Sequence, residues 1–240
     1  SMQKLTDIIV YDIFSPPVAS RIYVYPSVAA YEVLINDYPN YESLSGKLNG
    51  LNSIPKPDFN KEYSFPIASI YAFITVGKDL IFSENKINSF QEELLNEFKE
   101  KGVPKDIINR SKEYGLEVAN HIKKWYDEDN YKQTRSFPKY TIQRDNNESW
   151  KPTPPDYMEG IEPHWNKIRT LVVDSSNQFI IEPPPEFSLE KNSKFYKDLL
   201  EVYEIGNNLT EEQKNMASFW DCNPYVSHHK GHAMFATKKI

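Results

Sequence analysis

The chain has 240 residues, of which 39% are hydrophobic, enough for one large domain or two small ones with a genuine core. Its net charge of -6 argues against nucleic-acid binding, which depends on cationic groups neutralising phosphates. A single cysteine, Cys222, excludes any intrachain disulfide, and the longest uncharged stretch, residues 63–77, carries Pro66 and falls short of the roughly 20 apolar residues of a membrane span.

Leu5, Ile8, Ile9, Asp12 and Ile13 follow the 3,4 spacing of an amphipathic helix that must stop near Ser15, because Pro16-Pro17 follow. Ser15 as N-cap and Pro16 as first residue open a second helix, whose apolar face is Val18, Ile22, Tyr25, Ala29 and Val33 and which Pro26 should kink. Asn, Ser, Gly and Pro then mark a long loop from 36 to 57, within which Leu44, Leu48 and Leu51 could form one short helix. Ile67, Ile70, Ile74, Gly77 and Ile81 define a third helical face. Ile87, Phe90, Leu94 and Phe98 define a fourth, ending at Gly102. Pro104 opens a fifth, in which Ile108, Ser111, Gly115, Val118, Ile122 and Trp125 recur.

No sustained period survives in the loop-rich stretch 127–163, although Tyr140, Thr141 and Ile142 could pair as a short strand. The acidic run Asp127, Glu128, Asp129 reads as a solvated helix end. Pro183-Pro184-Pro185 is a polyproline-like connector. Phe195, Leu199 and Val202 begin a helix reaching about Ile205, with Gly206 as its C′ residue. Thr210-Glu-Glu-Gln213 is a capping box. The fold class is therefore all-α, a multi-helix bundle with long proline-rich connections and at most a minor strand pair, taken as one helical domain over 1–240.

Few constellations carry chemistry. His228 and His232 at i and i+4 would share one helical face, as zinc ligands do, but need a third ligand such as Asp221 or Cys222, and no Glu follows the first His as in the zincin pattern. Cys222 could be a nucleophile or a buried core residue. His164 beside Trp165 could line a pocket or staple a loop to the core. There is no GxGxxG or Walker A motif, and none of the five arginines, Arg21, Arg110, Arg135, Arg144 and Arg169, precedes proline.

Several phrases together resemble one family. Asp12-Ile-Phe-Ser-Pro-Pro-Val-Ala-Ser-Arg-Ile-Tyr23, Trp150-Lys-Pro-Thr-Pro-Pro155, Ile161-Glu-Pro-His-Trp-Asn-Lys-Ile-Arg169, Asn208-Leu-Thr-Glu-Glu-Gln213 and Phe219-Trp-Asp-Cys-Asn-Pro224 look like the N-terminal half of Bacteroidetes-type proteins in the type 2 phosphatidic acid phosphatase and vanadium-dependent haloperoxidase superfamily. The resemblance implies an all-α fold and, in complete members, a phosphate or vanadate pocket built from Lys...Arg-Pro, Ser-Gly-His and Ser-Arg...His elements. This chain has no Arg-Pro and no Ser-Gly-His, and Ser227-His-His-Lys-Gly-His232 does not reproduce the motif, so no catalytic or cofactor-binding residue is carried over.

Ser1-Met2 reads as a cloning remnant, and residues 233–240 as a helix-compatible run without a terminator. The chain is accordingly expected to be a piece of a longer envelope or periplasmic protein, inactive by itself. Its partner would be a downstream catalytic domain of the same chain, with vanadate a cofactor only of the complete protein. Two other readings stand beside it: a stand-alone ligand- or protein-binding helical module of the envelope, and a small metalloenzyme built on His228, His232 and an acidic partner.

Overall fold

The structure, a computed structural model, describes residues 1–154 and 157–220. It is all-α, and no strand forms among the described residues, Tyr140 to Ile142 being irregular. No described helix is long and apolar enough to cross a membrane. The chain divides into two compact units, the first made of Ser1–Tyr140 with Gly160–Gln178 and the second of Thr141–Glu159 with Phe179–Ile240.

In the first unit α1 (Met2–Tyr11) ends earlier than the prolines alone require. Ile13 adopts φ 58°, Ile13 N–H donates to Val10 O and Phe14 N–H to Ile9 O, so the helix closes in a Schellman turn with isoleucine where glycine is usual. Asp12 and Ile13 thus lie outside the apolar face expected of them. Asp12 instead accepts from Phe82 N (2.9 Å), Ser83 N (3.0 Å) and Ser83 Oγ (2.5 Å), supplying negative charge just ahead of α4 (Glu84–Glu100), where the helix dipole favours it.

Helix α2 (Pro16–Leu34) starts at the Ser15-Pro16 signal, runs on through Pro26 and buries Val18, Ile22, Tyr25, Ala29 and Val33, the stripe that its spacing predicts. The loop after it forms turns around Leu44, Leu48 and Leu51 rather than a helix. Glu32, fully buried on α2, fastens this loop by accepting from Ser43 Oγ (2.8 Å) and Leu44 N (2.6 Å). A buried carboxylate is tolerated only when its lone pairs are satisfied in this way.

Helix α3 (Phe65–Lys78) is the uncharged stretch, and it is buried on nearly every side because it lies between α2 and α5 (Lys105–Asp127). Its small residues Ala68 and Ala72 let α5 approach closely at Gly115, and its Ser69 Oγ donates to Ala30 O of α2 (3.0 Å). Helix α5 buries all six residues of its predicted face: Ile108, Ser111, Gly115, Val118, Ile122 and Trp125. Helix α4 ends as predicted at Gly102, whose φ of 83° closes another Schellman turn through Val103 N–H to Phe98 O.

Two apolar clusters result. One joins Tyr25, Ala29 and Val33 to Ala72, Val76, Val118 and Ile122; the other joins Leu5, Ile8 and Ile22 to Phe73, Ile74, Ile81 and Ile87. Each fully buried Leu or Ile contributes about 1.5–3 kcal/mol, which is what holds these helices together.

In the second unit α7 (Lys194–Asn207) is capped by Ser193 Oγ, which accepts from Tyr196 N. Gly206, expected as the C′ residue, instead lies inside the last turn, one residue before the helix ends at Asn207, and Asn208 is the C-cap. The capping box forms ahead of α8 (Glu211–Trp220): Gln213 N–H donates to Thr210 Oγ1 (3.2 Å) and Thr210 N–H to Gln213 Oε1 (2.9 Å).

Candidate functional site

The largest correction to the sequence expectations falls at Asp129, which is 1% exposed rather than part of a solvated helix end. The chain passes from α5 through Asn130, at φ 74°, into the short helix α6 (Tyr131–Thr134), and this bend turns the Asp129 carboxylate inward toward α2. Its Oδ2 accepts from Arg21 Nε (2.6 Å) and from Tyr25 OH (2.7 Å), and its Oδ1 accepts from Tyr131 N (2.8 Å). Arg21 and Tyr25, four apart on α2, present both donors from one helical face.

The Arg21 guanidinium also lies among three phenol rings, with centroids at 5.0 Å (Tyr25), 5.3 Å (Tyr126) and 4.4 Å (Tyr131). Burial, followed by the Asp129 charge and hydrogen bond, pushes the Tyr25 phenol well above its ordinary value. Tyr126 is raised by burial and then by Asp79, to whose carboxylate it donates at 3.1 Å. Tyr131 is raised by burial even though Arg21 and Arg135 both face its ring. These phenols are neutral, and the Asp129 carboxylate already accepts three hydrogen bonds. The cluster has no free nucleophile or base to offer, so its chemistry is that of a buried ion pair that locks α2 to the end of α5.

Residues 160–178 wrap over this cluster as a strap. Arg135 and Glu162 form a two-pronged ion pair, and His164 Nε2 lies 2.7 Å from Pro138 O. Trp165 meets Tyr131 edge to face and packs on the second apolar cluster, so the His164-Trp165 pair staples the strap down. Arg169 N–H donates to Asp129 O (2.9 Å) and its Nη2 to Trp125 O (2.7 Å), while its guanidinium lies 5.0 Å from the Trp125 ring. Asn49 completes the attachment with bonds to Thr170 Oγ1 (3.1 Å) and Val173 O (2.8 Å). Between α2 and this strap opens a cavity of about 600 Å³, and Trp165 is one of its walls as well as a staple.

Of the sequence candidates, His228 and His232 lie outside the described residues, as do Asp221 and Cys222. Among the described residues no three His, Cys, Asp or Glu side chains could hold a metal ion. An oxyanion such as vanadate needs convergent cations and a histidine. The described residues do not bring that set together: Arg21 is committed to Asp129, Arg135 to Glu162 and Arg110 to Glu62 O, His164 is bonded to a backbone carbonyl, and Arg169, which has no carboxylate partner among the described residues, lines a cavity without a histidine. The Arg21-Asp129 pair was invisible in the sequence because 108 residues separate its partners. The only local hint was Arg21 four residues from Tyr25.

No family model matches the chain, and no curated protein matches it. Among solved structures it is similar to that of the first bacterial vanadium-dependent iodoperoxidase, with 49% sequence identity and a TM-score of 0.88 over 93% of this chain. The chain spans 55% of the length of that protein.

Proposed function

We propose that this chain belongs to the type 2 phosphatidic acid phosphatase and vanadium-dependent haloperoxidase superfamily and is the helical half of a haloperoxidase-type protein. In this reading it packs against a catalytic half that binds phosphate or vanadate and is silent alone. The observation that carries the reading is the likeness itself, 49% identity over 93% of this chain but only 55% of an iodoperoxidase. That relative favours halide oxidation over phosphate-ester hydrolysis as the activity of the whole protein. When bound, vanadate would supply activation of a peroxide toward halide, and the described residues would contribute support rather than ligands.

A further support comes from α7, where Leu199, Val202 and Ile205, at 51%, 71% and 54% exposure, leave an apolar surface of the kind an adjoining domain covers. The test is an assay of this chain for p-nitrophenyl phosphate hydrolysis and for vanadate-dependent iodide oxidation. Neither activity is expected. Turnover that disappears on substituting His232 would overturn the proposal.

A further inference from the structure

The cavity between α2 and the strap has mostly apolar walls, to which Val24, Ile168, Leu171 and Trp165 contribute, and it falls within the size range of small-molecule sites. Two arginines line it, and they differ in one respect. Arg21 is neutralised by Asp129 at 2.6 Å. Arg169 has no carboxylate partner among the described residues, and no acidic side chain lines the cavity. Its Nε is buried without a hydrogen-bond partner.

The Arg169 group is also held firmly. Trp125 O takes one of its Nη2 protons, the indole of Trp125 lies against it, and Gly50, at φ 74°, leaves room where a Cβ would come within 3.2 Å of Nη1. A half-buried cation costs free energy unless a counter-charge compensates it, and a guanidinium is well suited to pairing with a carboxylate.

We propose that this cavity binds an organic anion with a carboxylate head, paired with Arg169, and a flat apolar body set against Val24, Ile168 and Leu171. The simplest rival is that Arg169 only fastens the strap to Trp125. That role would make binding indifferent to the charge of the head group.

The experiment is calorimetric titration of the chain with 2-naphthoate, its uncharged analogue 2-naphthamide, and acetate as a head group without a body. The expected result is naphthoate at least tenfold tighter than naphthamide, with acetate weaker than both. Arg169→Met should erase the tenfold preference, and Arg169→Lys should retain part of it. Ser20→Trp, at an exposed position lining the cavity, should weaken both naphthyl ligands at least tenfold while leaving Arg169 in place, and it decides the matter if Arg169→Met fails to fold. Equal affinity for naphthoate and naphthamide, a preference surviving Arg169→Met, binding untouched by Ser20→Trp, or no binding at millimolar concentration would each overturn the proposal.

Discussion

Replacing Gly115 with alanine tests the closest approach in the bundle. A Cβ at this position of α5 would lie 2.4 Å from Ala68 O, 3.2 Å from Ala68 C and 3.3 Å from Ala68 Cα, all backbone atoms of α3. A carbon usually approaches a carbonyl oxygen no nearer than about 3.3 Å, so α3 and α5 must separate locally by roughly 1 Å. No flexible side chain stands in the way that could simply rotate aside. Helix α3 is also wedged against α2, where Ser69 bonds to Ala30 O, so the shift spreads into the apolar cluster around Ala72, Val76 and Val118.

Overpacking a core costs about 1–3 kcal/mol, and backbone-limited contacts belong at the upper end. Alanine recovers about 1 kcal/mol of helix propensity over glycine. The net expectation is a loss of about 2 kcal/mol, which for a chain of this size lowers Tm by roughly 4–8 °C. Urea and thermal unfolding followed by far-UV circular dichroism measure it. A Gly115→Ala variant as stable as the parent, or more so, would refute the packing argument, because propensity alone predicts a gain.

Other substitutions probe the remaining devices. Asp129→Asn leaves Arg21, 8% exposed, without its counter-charge and should cost about 3–5 kcal/mol in urea unfolding, whereas the pair Arg21→Met with Asp129→Leu should recover much of the loss. Ile13→Gly removes a β-branched side chain from φ 58°, a conformation that costs about 1–2 kcal/mol; since Ile13 is 46% exposed, Tm should hold or rise, and a clear fall would contradict the strained-cap assignment. Gly206→Ala in α7 meets nothing within 4 Å and should increase helicity, the opposite sign to Gly115→Ala. Alkaline titration tests the buried phenols: burial raises Tyr114 to about 12, so its contribution to stability is complete below the ordinary tyrosine value of about 10 and is lost as pH climbs from there through 12. Tyr114→Phe should flatten that part of the stability profile, as read by urea midpoints between pH 9 and 12.

Much of the bundle follows from local rules. The rhythm of α5 from Ile108 to Trp125, the stripe of α2 from Val18 to Val33, the stop at Gly102 and the Thr210 box depend on residues within a few turns of one another, so the linear order contains them. The family resemblance was legible for a similar reason, since short contiguous phrases carry it, and the likeness to the iodoperoxidase bears it out. Other features had no local sign. Asp127-Glu128-Asp129 looks like any acidic helix end until α2 brings Arg21 and Tyr25 against its last member. Asp12 fits an amphipathic spacing until Ile13 turns the chain and hands its carboxylate to the start of α4. The cavity arises only when residues 165–176 return to α2 from more than a hundred positions away. The amino-acid order by itself determined where the long helices lie and most of the apolar face of each, because those depend on spacing. Only the tertiary structure decided which charges are buried, how near two backbones come and where a cavity opens, because each of these requires partners that the chain brings together only by folding.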